Sequence, residues 1–152
     1  MHKGVIVLSL KSASLIGHFI LVFALVSLVV EGSILAIGIG LIAIQILAIM
    51  LMVWARITFG RRSFHSAANP TEGGLVTTGP YTFIRHPIYA SILYFLWAGV
   101  FSHLSVFNLL FALIGTVGVS VRIYAEEHLI ILQYPEYSAY AARTKRIIPF
   151  LI

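Results

Sequence analysis

Residues 13–30, ASLIGHFILVFALVSLVV, and residues 33–54, SILAIGIGLIAIQILAIMLMVW, decide the fold. The first runs eighteen residues and the second twenty-two without a Lys, Arg, Asp or Glu. A bilayer core about 30 Å thick is crossed by about 20 apolar residues in helical form, so each stretch reads as a membrane span. Glu31-Gly32-Ser33 then predicts a tight turn joining two antiparallel helices. Lys3 and Lys11 ahead of an apolar stretch resemble the start of a signal peptide. The stretch is long, however, and Val29-Val30-Glu31-Gly32 offers no small-x-small cleavage pattern, so it is read as a retained span.

A third uncharged run extends from Pro87 to Val121, thirty-five residues. As one helix it would measure about 52 Å, too long for a single crossing. Ser102, His103 and Ser105 interrupt it and predict two helices of sixteen to eighteen residues, with a re-entrant pair as the alternative. From Arg122 the chain reads as a helical continuation out of the membrane. Pro135 breaks that helix, Glu136 to Lys145 predicts a short amphipathic surface helix carrying Tyr137 and Tyr140, and Ile147 to Ile152 returns to the bilayer surface. The expected architecture is an all-α polytopic integral membrane protein, with about four transmembrane helices and a short C-terminal cytoplasmic helix. Residues 1–152 form one domain: a helical hairpin over 1–57, a cytoplasmic loop over 58–86, a second hairpin over 87–121 and C-terminal helices over 122–152.

Composition supports the same class. Of 152 residues, 60% are hydrophobic and 10% charged, whereas a soluble domain carries roughly 25% charged residues. So short a chain cannot hide that apolar surplus in one core. A secreted or cytosolic globular domain, a disordered chain and a nucleic-acid binder are therefore excluded. The net charge of +5 does not argue for nucleic acid, because the charges gather at span edges. With four spans, Lys3, Lys11, Arg56, Arg61, Arg62, Arg85, Arg122, Arg143, Lys145 and Arg146 all fall on one side, which predicts that both termini are cytoplasmic. In a prokaryote that membrane would be the inner one. Cysteine and aspartate are absent, so there is no thiol nucleophile, and the acids are Glu31, Glu72, Glu126, Glu127 and Glu136. His2, His65, His103 and His128 show no metal-ligand spacing, and no metal is assigned.

Two segments carry the chemistry. The first runs from Gly73 through Thr77-Thr78-Gly79-Pro80-Tyr81 to Arg85-His86-Pro87-Ile88-Tyr89. Pro87 suits the first turn of the third span, which puts Arg85 and His86 at a helix N-terminus whose free N–H groups favour anions. The second is Arg122-Ile123-Tyr124-Ala125-Glu126-Glu127-His128, where Arg122 and Glu126 share a helical face. Of the adjacent glutamates, one is expected to face solvent and the other the bundle, and a carboxylate near the bilayer is by default a functional-site hypothesis. Bland readings stand beside these: Arg85 as an interfacial anchor, Arg122 with Glu126 as a structural ion pair, and the tyrosines as an aromatic belt. His18 and Gln45 are read as interhelical hydrogen-bonding groups.

Taken in order, Leu75-Val76-Thr77-Thr78-Gly79-Pro80-Tyr81, Arg85-His86-Pro87-Ile88-Tyr89, Arg122 with Glu126-Glu127, Tyr137, Tyr140 and Arg146-Ile147-Ile148-Pro149 resemble the isoprenylcysteine carboxyl methyltransferase family and its relatives among phospholipid N-methyltransferases. The resemblance covers roughly the C-terminal half of the chain. It implies an integral-membrane enzyme that uses S-adenosylmethionine without a Rossmann domain. It further implies that Gly74, Leu75, Val76, Tyr81, His86, Pro87, Ile88, Tyr89 and Glu126 line the cofactor pocket, and that Arg122 positions the methyl acceptor. The acceptor would be a lipophilic or lipidated molecule, with membrane lipids as the surroundings. An isoprenylcysteine-like carboxylate is the first choice and a phospholipid amine the alternative. Three departures stand out: Ser91 for a glycine, Gly73 for a polar residue, and Gln133-Tyr134-Pro135 for a Phe-Gly turn. An NADPH-dependent membrane reductase and a non-enzymatic membrane subunit are the competing classes.

Overall fold

The computed structural model describes residues 2–60 and 74–149, and within them the protein is all-helical. The helices are α1 (His2–Val30), α2 (Ile39–Phe59), α3 (Pro87–Ser102), α4 (Val106–Gln133) and α5 (Tyr137–Arg143), with a 3-10 turn over Gly79–Thr82. Three helices are long and apolar enough to cross a membrane: α1 from Gly4 onward, α2 and α4. Helix α3 is apolar but has only 16 residues. At 1.5 Å per residue it is about 24 Å long, short of the bilayer core. Large apolar side chains such as Phe19, Phe23, Ile46, Met50, Phe107 and Leu110 point outward, which is stable only where the surroundings are lipid. The protein is thus a polytopic membrane protein.

Boundaries and pairings differ from the sequence reading in instructive ways. Helix α4 is continuous over 28 residues, so the fourth span and its continuation past Arg122 are one element. Ser105, read as an interruption, caps it by accepting from Asn108 N at 3.1 Å. The first hairpin is not a packed pair. Helix α1 lies along α4 and α2 along α3, and the residues between Val30 and Ile39 cross the bundle's end. Lipid-facing apolarity carries no information about partners, and the pairing is decided by small residues that let backbones meet. On α1 the buried stripe is Ser14, Gly17, Leu21, Ala24 and Leu28, at three- and four-residue spacing. It meets Ala112, Gly115, Gly118, Val119 and Arg122 of α4, antiparallel. Leu21 packs with Leu93, Val119 and Ile123, while Leu28 packs with Leu96, Val100 and Ala112.

At the far end, polar side chains fasten the crossing segment. Gln45 Nε2 donates to Ile34 O at 2.7 Å and to Phe95 O at 3.0 Å, while its Oε1 accepts from Ala36 N at 2.9 Å. The interhelical duty expected of Gln45 is therefore what it performs. His18 instead stacks edge-on against its neighbour Phe19 on α1. Asn108 Nδ2 donates to Ser33 Oγ at 2.9 Å and to His103 O at 2.6 Å. Gly99 makes this crossing possible, because a Cβ there would lie 2.5 Å from Ile34 O and 2.7 Å from Ser33 O.

Gly99→Ala is therefore expected to destabilise the fold by about 1–3 kcal/mol, the usual scale of overpacking. Gly40→Ala, on a helix with nothing within 4 Å of the new Cβ, should leave the melting midpoint in detergent unchanged or raised. Parallel thermal melts of the two variants check this contrast.

Candidate active site

The basic end of the bundle gathers the C-terminus of α2, the N-terminus of α3, the last turns of α4, and α5 with the chain beyond it. Pro80 and Pro87 set the local path: Pro80 opens the 3-10 turn and Pro87 begins α3, where a missing N–H leaves no orphan donor. This path delivers Arg85, His86 and Tyr89 to the side of α4 that carries Arg122, Glu126 and Glu127.

Glu127 is buried and Glu126 is partly exposed, so the expected division between bundle and solvent holds in degree, and both carboxylates are engaged by side chains of the bundle. They are a helical step of 100° apart, and the bundle covers both directions. Glu126 Oε1 accepts from the Tyr89 hydroxyl and, at 3.4 Å, from Arg122 Nη2. Arg122 Nε donates to the Tyr89 hydroxyl at 2.8 Å, and its guanidinium carbon lies 5.5 Å from that ring's centroid. Glu127 Oε1 accepts from Arg85 Nε at 2.8 Å and from the Tyr137 hydroxyl at 3.2 Å, and Oε2 accepts from Arg146 Nε at 3.0 Å. His86 stands between the two carboxylates. Its Nε2 is 3.4 Å from Glu127 Oε1 and its Nδ1 is 3.9 Å from Glu126 Oε2.

The sequence-predicted residues fall into three groups. His86, Tyr89, Arg122 and Glu126 are in direct contact. Tyr81 is buried beside Phe59, with ring centroids 5.5 Å apart, and burial raises its phenol pKa well above the ordinary range, with the charges of Tyr140 and Glu126 adding to it. Pro87 is buried and Ile88 half-buried on the first turn of α3. Gly74, Leu75 and Val76 lie in the non-helical run that leads to the 3-10 turn, Gly74 with φ +79°. Next to them, a cavity of about 330 Å³ is lined by Thr77, Thr82, Tyr140, Arg143 and Thr144. Gly73, Arg61, Arg62, His65 and Glu72 of the connecting loop, and Phe150 to Ile152, lie outside the described residues.

Four contributors were missed as site residues: Arg85, Glu127, Tyr137 and Arg146. Arg85, read as an interfacial anchor, is buried and bound on three sides, since its Nη1 also donates to Ala141 O at 2.9 Å and to Thr144 O. Of the N–H groups expected to be free at the start of α3, that of His86 is taken. Arg85 N donates to Lys145 O at 2.7 Å and His86 N to Arg146 O at 3.0 Å, part of a parallel bridge between Ile84 and Lys145. The chain after α5 is thus strapped against the His86 segment, and the Tyr140 hydroxyl fastens it further by donating to Tyr81 O at 2.6 Å. Neither unusual residue disturbs this. Ser91 is buried with its hydroxyl on Ile88 O at 2.7 Å, and the Gln133-Tyr134-Pro135 turn still delivers Tyr137 to Glu127. The signal for the missed group was the Glu-Glu pair itself, since two buried acids demand more cations than Arg122 supplies.

Residues 38–132 match the isoprenylcysteine carboxyl methyltransferase (ICMT) family, and over more than half its length this chain therefore belongs to that family. The match includes α2, α3 and all but the last residue of α4, and leaves α1 and α5 outside it. Members of the family in general use S-adenosylmethionine as methyl donor. A similar curated protein is the nickel-cobalt-cadmium resistance protein NccN of Alcaligenes xylosoxydans xylosoxydans, 33% identical over 78 residues. That stretch is 51% of this chain and 37% of NccN, so the chain spans little more than a third of that relative's length. No solved structure matches the chain.

Two outcomes follow from the strap. Glu127→Gln leaves Arg85 buried without its counter-charge, which is expected to cost about 3 kcal/mol and to speed tryptic cleavage at Arg143 and Lys145. Burial pushes the Tyr140 phenol from 10.0 up to about 12. A group that is favoured neutral in the folded state stabilises it below its ordinary pKa, and that contribution is lost as pH rises through the folded value. Ultraviolet titration of tyrosinate should therefore show that Tyr140→Phe removes absorbance gained between about pH 10 and 12 and leaves the step near pH 10 unchanged, and loss of the step near pH 10 instead would contradict it.

Proposed function

We propose that this protein transfers a methyl group from S-adenosylmethionine to a lipophilic acceptor at the cytoplasmic face of its membrane, the acceptor group being a carboxylate of the isoprenylcysteine kind. The observation that carries the reading is the Glu126 carboxylate, one-fifth exposed, held by Tyr89 and Arg122 beside His86 within the family-matching residues. These residues fit the cofactor by donor chemistry. A fixed carboxylate among aromatic rings favours a cationic ligand, and the His86 and Tyr89 rings, 5.8 Å apart, supply that setting. His86, Tyr81, Tyr89 and Glu126 would hold the group, with Gly74, Leu75, Val76, Pro87 and Ile88 as its apolar and backbone surroundings. When bound, it supplies an electrophilic methyl group.

The remaining work belongs to the chain. Methyl transfer from a sulfonium neutralises charge, so orientation and exclusion of water matter more than a strong base. A carboxylate acceptor needs no proton removed, which suits a site whose acids are both engaged in ion pairs. Arg122 presents a planar guanidinium, the side chain suited to orienting a carboxylate. A site built at the end of membrane helices would receive a lipidic acceptor sideways from the bilayer.

Calorimetry on detergent-purified protein tests the reading. Saturable S-adenosylmethionine binding by the wild type, weakened at least about tenfold in folded Glu126→Ala and His86→Ala variants, is expected. Absence of binding by folded wild type in both detergent and lipid would overturn it.

A further inference from the structure

Helix α1 lies outside the family-matching residues, yet it touches the arginine on which acceptor binding would depend. Arg122 Nη1 donates to Ser14 O at 3.3 Å, so the guanidinium is held from α1 on one side and from Tyr89 and Glu126 on the other. The approach is set by glycine. A Cβ at Gly17 would meet Gly118 O at 2.7 Å, Arg122 Cγ at 3.0 Å and Arg122 N at 3.3 Å. A Cβ at Gly118 would meet Gly17 O at 2.7 Å and Leu21 N at 2.9 Å. The Arg122 stem therefore lies directly across Gly17, and no other residue type leaves room for it there.

We infer that Gly17 is a positioning residue: the crossing of Gly17 with Gly118, together with the Ser14 carbonyl, fixes the direction in which Arg122 presents its guanidinium to the acceptor. The inference deepens the methyltransferase reading and rests on it for the acceptor. The contact itself stands on geometry. A guanidinium gripped from two helices loses little further freedom when it binds a carboxylate, whereas one released from α1 must be ordered at that moment. Displacing α1 by a few tenths of an ångström is thus expected to act on acceptor use and to leave the Glu126 side of the site alone.

Two measurements test this, one of them independent of activity. In protein labelled with 15N-arginine and placed in lipid nanodiscs, the Arg122 Nη1–H, the donor to Ser14 O and assigned by its loss in Arg122→Lys, should exchange with water at least about tenfold more slowly than that of exposed Arg143. Gly17→Ala should bring it toward the Arg143 rate. Gly115→Ala, whose Cβ would meet as its nearest atoms the side-chain atoms Leu96 Cδ1 at 3.1 Å, Ala24 Cβ at 3.3 Å and Leu21 Cδ1 at 3.8 Å, should keep the protection. In the second measurement, methyl transfer to N-acetyl-S-farnesylcysteine, Gly17→Ala should raise the acceptor KM about tenfold with S-adenosylmethionine affinity within about twofold, and this effect should vanish in an Arg122→Lys background. Retained protection in folded Gly17→Ala, equal loss in Gly115→Ala, or additivity with Arg122→Lys would overturn the inference. Should Gly17→Ala not fold, an Arg122 Nη1–H that exchanges as fast as that of Arg143 in the wild type overturns it alone. Wild type that binds no S-adenosylmethionine sinks the functional reading, while the exchange measurement still decides the part played by α1.

Discussion

A carboxylate buried at the edge of a membrane protein must be met by cations, and Glu127 is the point at which this chain meets that demand. Arg85 reaches it from the start of α3, Arg146 from the chain beyond α5, and Tyr137 from α5 itself, with His86 at 3.4 Å. Removing Arg85, the buried partner of Glu127, leaves charge uncompensated where water is scarce, which costs far more than a surface ion pair contributes. The knot therefore fixes the C-terminal segment to the His86 segment. His86 in turn is held next to Glu126, whose other contacts, Tyr89 and Arg122, form the chemically open half of the cluster.

The two adjacent acids thus divide the work by direction. Glu127 is saturated by cations and a phenol and acts as a fastening. Glu126, one-fifth exposed, shares one oxygen between Tyr89 and Arg122 and remains near the surface of the bundle. The same division extends to the helices. Elements inside the family-matching residues, α2 to α4, carry the chemically distinctive side chains. Elements outside them, α1 and α5 with its tail, hold those side chains in place: α1 grips Arg122 through Ser14, and the tail grips Arg85 and His86 through backbone carbonyls.

Much of this was legible in the sequence, and the rest was hidden for physical reasons. The spans followed from hydropathy alone, and Arg122 with Glu126 from helical spacing, because both are local properties. The partner of each helix was not legible, since the membrane-spanning stretches are apolar on the faces they turn to lipid as well as to one another, and the deciding contacts are close approaches at Gly17, Gly99 and Gly118. The ion pair of Arg85, for which the sequence offered an anion-favouring helix start or an interfacial anchor, was hidden for the same reason: its partner lies 42 residues away, and nothing near it in the sequence requires an acid. His86, Tyr89 and Glu126 were placed by the family's motif, and the structure brings all three together with Arg122. The engagement of the His86 N–H at the start of α3 was not legible, because the carbonyl it meets comes from the tail, far along the chain.

The most direct test of the central claim, that the Glu126, His86 and Tyr89 cluster is where S-adenosylmethionine binds, is ultraviolet photolabelling of the membrane-embedded protein with the tritiated cofactor, followed by peptide mapping. Label confined to residues 74–89 and 123–127, and displaced by S-adenosylhomocysteine, is the predicted result. Label elsewhere in the chain, or none while NADPH binds instead, would contradict it.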